Sequence, residues 1–279
     1  MSVTNGWGQG AVNNTIEWGK GKTTATNNWG AIYDLSASGD TSLGTAAAFS
    51  NTKSIDLDGI DAYCVTDSNY TLADGESKIT VSAWIKIESG SDSLSYLFSI
   101  GGGSFLQFGI RLQALGTTTC WVYVNNAGNN NRASTSLGAI KGDGLWHHLL
   151  VCLDLSLANY SECAVFLDGV SQTMNGYYAN STLPASNSGL HIGTQAGILS
   201  RVYGGHIDEL AVWVGTDLRN DVATVYNSGL PNDLSNNGLT APTSWYRFEE
   251  GSGTTISDSA GSANASIQND VTFESDVPT

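Results

Sequence analysis

The 279-residue sequence predicts an all-β sandwich or jelly roll, and three observations lead to this fold class. Hydrophobic and polar residues alternate with a period of two in most apolar segments, which is typical of half-buried strands. Turn-forming dipeptides separate these segments, so we expect about ten to twelve strands in roughly 230 residues. Charged residues make up only 13% of the chain, so serine, threonine, asparagine and glycine must form much of its surface.

The first fifty residues differ in kind from the rest of the chain. Trp7, Trp18 and Trp29 each precede a glycine and lie eleven residues apart on a polar string. Each indole offers roughly 150–250 Å² for burial, so together they approach one partner's share of a standard interface, about 800 Å². We therefore expect residues 1–50 to form an extended Trp/Gly-rich arm. Its tryptophans would dock either on their own domain or on another chain.

Alternation is clearest in KITVSAWIKIE (78–88), where Ile79, Val81 and Ile85 point to one face while Ser82 and Trp84 point to the other. Such a pattern predicts a strand with one face in the core. Asp168-Gly169 predicts a tight hairpin turn. Further strands are predicted at 105–114, 119–126, 146–156, 162–169, 206–215 and 243–251.

One segment departs from the period of two. In residues 216–230, Leu218, Val222 and Val225 recur at helical spacing, and Gly229 can end a helix. We predict one short helix in this otherwise all-β chain.

Four motifs occur in a fixed order along the central region. They are IDLDGIDAYCV (55–65), ITVSAWIKIE (79–88), GDGLWHHLLVCLD (142–154) with VFLDG (165–169), and GHIDELAVW (205–213). Together they make this region resemble the laminin-G-like branch of the concanavalin A-like lectin/glucanase superfamily. This resemblance implies a concanavalin A-like jelly-roll sandwich over residues 51–279.

The C-terminal segment SWYRFEEGSGTTISDSAGSANASI (244–267) resembles the strand pair that usually opens such a domain. Its position at the end indicates a circular permutation, with the usual first strands at 243–270. Sandwich termini often lie close together, which makes permutation tolerable. We expect this tail to pair beside the strands near 55–65.

The arm, NNWGAIYDLSASGDT (27–41) and VTFESDVP (271–278) are similar to structural proteins of tailed bacteriophages. This second resemblance implies a virion protein made in the host cytoplasm and placed on the capsid, a fibre or the tail. Its partners would be other virion proteins or further copies of the chain, a trimer included, and glycans of the host surface. The main alternative is a cellular carbohydrate-binding module or adhesin, and the third is a glycoside hydrolase of the same fold.

Charge excludes two classes of partner. The net charge is −15 with only 11 basic residues, whereas phosphate binding needs clustered lysine and arginine. We therefore expect neither nucleic acid nor an anionic membrane as a partner. The sequence shows no 18-residue apolar run and no features of a signal peptide.

The sequence offers no catalytic constellation, so we predict a non-enzymatic protein. A glycosidase needs two carboxyl groups flanking the sugar bond, but Asp208 and Glu209 are adjacent and are expected on opposite faces of a strand. His147 and His148 are expected to be structural, one ring inward and one outward. Reduced, buried thiols are expected for Cys64, Cys120, Cys152 and Cys163.

The family resemblance implies a calcium site, because relatives bind calcium with aspartates from loops at the edge of the sandwich. Calcium takes six to eight oxygen ligands. The candidate ligands are Asp58, Asp61, Asp208 and Asp258. The alternative is that Asp58 and Asp258 only form turns, since aspartate readily accepts hydrogen bonds from nearby backbone.

Glycan binding requires exposed aromatic rings and polar side chains that read hydroxyl groups. Loops of this composition occur at 127–135, 175–182 and 200–205. Their candidate glycan-binding residues are Asn130, Tyr177, Tyr178 and Tyr203. The alternative is that these are ordinary polar loops.

Overall fold

The computed structural model describes residues 23–26, 32–35, 49–91, 94–101, 106–126, 129–158, 161–178, 181–195, 198 and 201–279, with the backbone alone for 23–26, 32–35, 115, 125–126, 129–131 and 177. The chain divides into two units, Met1–Phe49 and Ser50–Thr279. Within the described part of the chain, no helix has the length and apolar character needed to cross a membrane.

The described elements are nineteen strands, one α-helix and one 3-10 turn, Asn227–Gly229. In chain order they are β1 (Thr23–Thr26), β2 (Ile32–Leu35), β3 (Ser54–Asp58), β4 (Tyr63–Thr66), β5 (Lys78–Ile87), β6 (Ser95–Ile100), β7 (Phe108–Leu115), β8 (Thr117–Asn126), β9 (Asn129–Gly138), β10 (His147–Asp154), β11 (Cys163–Leu167), β12 (Val170–Gln172), β13 (Asn175–Tyr177), β14 (Leu190–Ile192), β15 (Gly204–Val214), α1 (Val222–Tyr226), β16 (Ser244–Tyr246), β17 (Thr255–Ile256), β18 (Ala265–Gln268) and β19 (Thr272–Glu274).

Two antiparallel sheets form the second unit. The eight-stranded sheet has the order β12-β11-β10-β5-β15-β3-β19, with β16 also paired to β15. The nine-stranded sheet has the order β13-β9-β8-β7-β6-β14-β4-β18-β17. In the first unit, β1 and β2 form a separate antiparallel pair. The prediction of an all-β sandwich with one short helix is confirmed.

Alternate residues of both sheets form the core between them. Ile85 on β5 and Ile207 on β15 are completely buried in the eight-stranded sheet, and so are Phe98 on β6 and Val122 on β8 in the nine-stranded sheet. All four belong to one apolar cluster. Burial of such side chains supplies the main driving force for folding, about 25 cal/mol per Å² of apolar surface.

The outer face of β5 is also buried, which the alternating sequence did not predict. Ser82 and Trp84 are almost fully covered. The segment after β15 lies against them, and the ring of Tyr226 on α1 stacks on Trp84 with centroids 6.1 Å apart. A strand near the middle of a sheet that is covered on both faces has to bury its polar positions too.

The helix itself is shorter than the predicted 216–230. It spans only Val222–Tyr226 because the residues before it are fixed in a non-helical conformation. The Thr80 hydroxyl donates to the Thr216 carbonyl at 2.9 Å and accepts from the Leu218 amide at 3.2 Å. This anchoring holds the chain against β5 before the helix begins.

The C-terminal strands return to the strands near 55–65, as expected from the sequence. β18 pairs with β4, with Ile267 opposite Cys64, and β19 pairs with β3, with Phe273 opposite Ile55. β16 pairs instead with β15. The first and last strands of the second unit therefore pair with one another in both sheets. β3 pairs with β19 in the eight-stranded sheet, and β4 pairs with β18 in the nine-stranded sheet.

All four cysteines are free and buried, as expected. Burial raises the pKa of the thiols of Cys64, Cys152 and Cys163 to about 12. Cys163 lies opposite Leu153 in the β10–β11 pair, so Cys152 and Cys163 are not direct cross-strand neighbours.

Gly205 lies at the centre of the eight-stranded sheet and has a φ of 128°. A Cβ there would press on the Lys86 carbonyl oxygen and lie 3.0 Å from the Glu88 amide nitrogen. Gly116, in the β7–β8 turn, also has positive φ, at 83°, but open space around it.

We expect Gly116→Ala to cost about 1 kcal/mol, the ordinary penalty for left-handed backbone. We expect Gly205→Ala to cost more than about 3 kcal/mol, because the backbone clash adds to that penalty. Urea denaturation measures both, and equal losses would contradict the role assigned to close packing at Gly205.

Candidate functional site

Asp58 forms a turn after β3. Its Oδ1 accepts the backbone N–H groups of Ile60, Asp61 and Ala62, at 2.8, 3.1 and 3.1 Å. Partial burial pushes the pKa of Asp58 upward, but these backbone hydrogen bonds outweigh that effect and hold the pKa below its usual value. The Asp58 carboxylate therefore stabilises a turn, which is the role that the sequence left open as the alternative to binding calcium.

Asp258 also organises a turn. Its Oδ1 accepts from the backbone amides of Trp245, Ala260 and Gly261, and its Oδ2 accepts from Ala263 at 3.1 Å. Because the side chain is 8% exposed, these amides have no ready replacement in water. This carboxylate therefore connects the C-terminal turn to β16.

Asp208 and Glu209 lie at an irregularity in the pairing of β15 with β5 and are both buried. Glu209 has a φ of 47°, so the expected alternation of faces fails at this point. Both residues lie on the outer side: Asp208 is opposite Trp84, and Glu209 lines a cavity of about 10 Å³ beside Trp84 and His148. The premise that these two side chains leave on opposite faces was wrong.

Each of these buried carboxyl groups has a polar partner. Asn51 donates to Asp208 at 2.8 Å, and Arg247 Nε donates to Glu209 at 3.1 Å. Burial, followed by the neighbouring Glu209 charge, raises the pKa of Asp208 well above its usual value. Burial raises the pKa of Glu209 to about 7, although Arg247 opposes the shift.

The side chains of His147 and His148 lie on opposite faces of β10, as expected, and each has a hydrogen-bond partner. His148 Nε2 lies 2.8 Å from the Ser82 hydroxyl, and burial lowers its pKa to about 4. His147 Nδ1 lies 2.8 Å from Asp168, and this hydrogen bond raises its pKa.

The four predicted calcium ligands do not converge in the structure. Asp58 lies opposite Gly204, four positions before Asp208 on β15, which corresponds to about 13 Å along a strand. Among the described residues, a group that contains none of the predicted ligands does converge. The ligand atoms of Asp56, Glu88 and His206 lie within 4.8 Å of one another. The calcium prediction for Asp58, Asp61, Asp208 and Asp258 stays a prediction.

Two of the predicted glycan-binding tyrosines are buried. Tyr203 is completely covered and donates to the His206 carbonyl at 3.3 Å, while Tyr178 is 6% exposed and donates to the Val122 carbonyl at 2.9 Å. Neither ring has a face open to a sugar, so the stacking role proposed for them is wrong. Tyr178 directly follows β13, and its side chain belongs to the apolar core cluster.

The side chains of the other predicted contact residues lie outside the described part of the structure. Tyr177 pairs in backbone register with Arg132, and Asn130 pairs with Asn125 in the β8–β9 hairpin. The indoles of Trp7, Trp18 and Trp29 also lie outside the described residues.

The outer face of the nine-stranded sheet contains an aromatic and basic cluster, which we call the arginine-tryptophan face. It comprises Tyr96 on β6, Arg111 on β7, Trp121 and Tyr123 on β8 and Arg132 on β9, together with Arg201, which precedes β15 and hydrogen-bonds to Tyr96. The strand register aligns Tyr96 with Arg111, Arg111 with Trp121, and Tyr123 with Arg132. Their sequence neighbours Ile110, Cys120 and Val122 face the core, so these side chains point outward.

Guanidinium groups lie over the aromatic rings of this face. The Arg111 Cζ is 4.9 Å from the Tyr123 centroid and 5.5 Å from the Trp121 centroid. The Arg132 Cζ is 4.7 Å from the Trp121 centroid. Trp121 is half-buried and donates its indole N–H to Gln113 Oε1 at 3.1 Å. The ring is therefore fixed in orientation while part of it stays accessible.

The arginine-tryptophan face was not predicted from the sequence, although the sequence contains a signal for it. Residues 93–142 contain no aspartate or glutamate, in a chain that has 26 acidic residues. This run includes Arg111, Trp121, Tyr123 and Arg132. A search for local charge pattern in place of net charge would have found it.

Comparisons with known proteins agree with this architecture. The family described as Laminin_G_3, concanavalin A-like lectin/glucanases superfamily, matches residues 58–223. A heptameric SAP-like pentraxin from Limulus polyphemus has a TM-score of 0.55 at 16% identity, over 80% of this chain and 94% of that chain. The chain matches no curated protein.

Two further structures are similar over smaller parts of the chain. The CBM40 of a Ruminococcus gnavus IT-sialidase bound to α2,6 sialyllactose has a TM-score of 0.47 at 14% identity, covering 63% of this chain and 98% of that one. Domains LG4-5 of the mouse laminin α1 chain have a TM-score of 0.43 at 17% identity, covering 68% and 48%. At such identities a likeness concerns the fold alone.

We expect Asp258→Ala to lower the free energy of unfolding by about 2–4 kcal/mol, because buried amides lose their acceptor. Asp258→Asn, which keeps one acceptor oxygen, should cost less, and the exposed Asp270→Ala serves as the control. Urea denaturation in calcium and in chelator measures the losses. The turn role predicts the same loss in both conditions, whereas a loss that appears only with calcium would assign Asp258 to a metal site.

Proposed function

The chain belongs to the Laminin_G_3 family of the concanavalin A-like lectin/glucanases superfamily, and from this premise we propose that it is a non-enzymatic, carbohydrate-binding domain. The observation that carries the proposal is the partly exposed Trp121, which lies beside the exposed Arg132 on the outer face of the nine-stranded sheet. The exposed part of the indole offers apolar surface to a sugar, next to guanidinium groups that can donate hydrogen bonds to its oxygens.

Polar groups around Trp121 suit the hydroxyl groups of a sugar. Ser134 lies directly opposite Trp121 on β9, and Asn175 on β13 lies opposite Ser134. Gln113 accepts the indole N–H and has its amide group beside the ring. Binding sites for small ligands combine such an aromatic surface with a few fixed polar groups.

The distribution of carboxyl groups supports binding over hydrolysis. A glycosidase needs two carboxyl groups that flank the sugar bond. The strands β6 to β9, which carry the arginine-tryptophan face, have no aspartate or glutamate. The buried Asp208 and Glu209 belong to the other sheet and are held by Asn51 and Arg247. A hydrolase of this fold is therefore the weaker candidate.

We also propose that the chain is a structural protein of a bacteriophage particle, on the capsid, a fibre or the tail, where it displays the sandwich for adhesion. Three regularly spaced tryptophans in residues 1–50 support a docking role for that unit toward other virion proteins or further copies of the chain. The division of the chain after Phe49 is consistent with separate docking and display units. A cellular carbohydrate-binding module is the alternative.

Trp121→Ala should abolish glycan binding, because it removes the flat ring while the core residues stay in place. Trp146→Ala is the matched control, since Trp146 is also half-buried but precedes β10 in the other sheet. A glycan array probed with the wild type and both variants, with urea denaturation as the check of folding, tests this. Equal binding by all three proteins would remove Trp121 from the site.

Deletion of residues 1–45 should prevent incorporation into phage particles while leaving glycan binding unchanged. Mass spectrometry of purified particles measures incorporation, and the glycan array measures binding. The full-length chain should be present in particles at a defined copy number. Its absence from particles would favour the cellular carbohydrate-binding module.

A further inference from the structure

Three side chains that can bind a metal ion meet on the outer face of the eight-stranded sheet. Asp56 on β3 lies directly opposite His206 on β15. Their neighbours Ile55 and Ile207 are in the core, so the side chains of Asp56 and His206 point outward. Glu88 directly follows β5, the next strand of the sheet, and the ligand atoms of the three residues lie within 4.8 Å of one another. One imidazole and two carboxylates from three adjacent strands thus converge.

The hydrogen bonding of this cluster is incomplete. Asp56 Oδ1 and His206 Nδ1 are buried without a hydrogen-bond partner in the described structure. His206 Nε2 lies 3.9 Å from Glu88 Oε1, which is beyond hydrogen-bond distance. Zinc ligands lie about 2.0–2.2 Å from the ion, so two ligands of one ion are roughly 3–4 Å apart. A shared ion would therefore match this separation and give the buried carboxylate oxygen a partner.

His147 shows how the same protein pairs an imidazole with carboxylates through hydrogen bonds alone. Its Nδ1 lies 2.8 Å from Asp168, and its Nε2 lies 3.0 Å from Asp143. Both ring nitrogens of His147 are therefore in use. For His206, the shortest distance from a ring nitrogen to a carboxylate within the described residues is the 3.9 Å to Glu88. The His206 cluster therefore keeps electron pairs available for a ligand, whereas the His147 group does not.

The charge around the cluster favours a cation. Among the described residues, neither Asp56 nor Glu88 forms an ion pair with a lysine or arginine. Lys86 is next to His206 in the strand register, but its ammonium group is held by Asp276 at 2.6 Å. Two carboxylates thus lack a positive partner in a chain of net charge −15, whose field attracts cations.

The cluster combines a fixed ring with access from solvent. The His206 ring packs against Trp146 with centroids 5.9 Å apart, and Trp146 donates its indole N–H to Asp276 at 2.9 Å. The Glu88 side chain is 54% exposed. It borders an open hollow of about 300 Å³, whose other lining residues are Lys86, Ile87, Ser89, Gly142 and Gly144. An ion can therefore reach the cluster, and a water molecule can complete its coordination.

We propose that Asp56, Glu88 and His206 bind a divalent transition-metal ion of the zinc type. Imidazole nitrogen is an ordinary zinc ligand, whereas calcium takes oxygen ligands. Three protein ligands leave one position of a tetrahedral ion for water. The ion would connect β3, β5 and β15 and so stabilise the sandwich. This inference is independent of the proposed carbohydrate-binding function, because the cluster lies on the other sheet from Trp121.

Calorimetry and thermal unfolding of the full chain, prepared without a histidine tag, test the site with zinc, calcium or magnesium ions. We expect one zinc ion per chain, bound at least about a hundredfold more tightly than calcium or magnesium, because the set includes an imidazole. Zinc at a hundred times its dissociation constant should raise the Tm by about 5–10 °C, since the ion binds only the folded chain.

Variants separate the metal ligands from the fold. Glu88 is exposed, so Glu88→Gln should leave the Tm without zinc unchanged, weaken zinc binding at least about tenfold, and reduce the rise in Tm with zinc. His206→Gln removes the imidazole and should weaken zinc binding further. His147→Gln is the matched control: it removes another histidine flanked by two carboxylates and should leave the zinc affinity unchanged.

Three results would overturn the proposal. Equal zinc affinity in the wild type, Glu88→Gln and His206→Gln would mean that zinc binds elsewhere on the chain. Calcium binding as tight as zinc binding would indicate a site made of oxygen ligands alone. No zinc binding up to millimolar concentration would leave Glu88 and His206 as an ordinary pair of surface charges. Glycan binding should be the same in all three variants, so a failure of the carbohydrate-binding function would not affect this test.

Discussion

The packing of two sheets through the apolar side chains of alternate residues is the interaction on which the rest of this structure depends. It fixes Ile85 and Ile207 against Phe98 and Val122 across the core. Because successive side chains of a strand point to opposite faces, this packing also commits every second residue to an outer face. The covering of those outer faces then determines which polar groups are buried and which can meet a ligand.

The outer faces of the two sheets differ in how far they are covered. On the eight-stranded sheet, the segment that contains α1 covers Trp84 and His148, and burial keeps the pKa of His148 near 4. On the nine-stranded sheet, Trp121 and Arg132 retain exposure. Covering one face adds buried area and stability, whereas the partly covered face leaves part of the Trp121 ring and the Arg132 guanidinium group accessible. The same fold thus separates a stabilising face from a candidate binding face.

The covered outer face of the eight-stranded sheet contains a buried charged group, and burying charge costs free energy. Glu209 sits at the irregular pairing of β15 with positive φ, and Arg247 is its partner. Desolvating such a pair costs several kcal/mol per ion, so a buried ion pair is weak support for stability. Its value lies in geometry, because Arg247 follows β16 and Glu209 lies on β15, so their pairing fixes the C-terminal strands against the sheet.

The sequence by itself determined the fold class, because a period of two and the intervening turns follow directly from strand geometry. It also indicated the return of the tail beside β3 and β4, since that depended on local motifs. Only the tertiary structure decided the exposure of Tyr178 and Tyr203, the faces of Asp208 and Glu209, and the gathering of Arg111, Trp121 and Arg132. These features depend on strand register, on one irregularity of pairing, and on which segment covers which sheet. A period-of-two pattern specifies none of these three, and the acid-free run 93–142 indicates a basic and aromatic segment without showing which of its side chains meet.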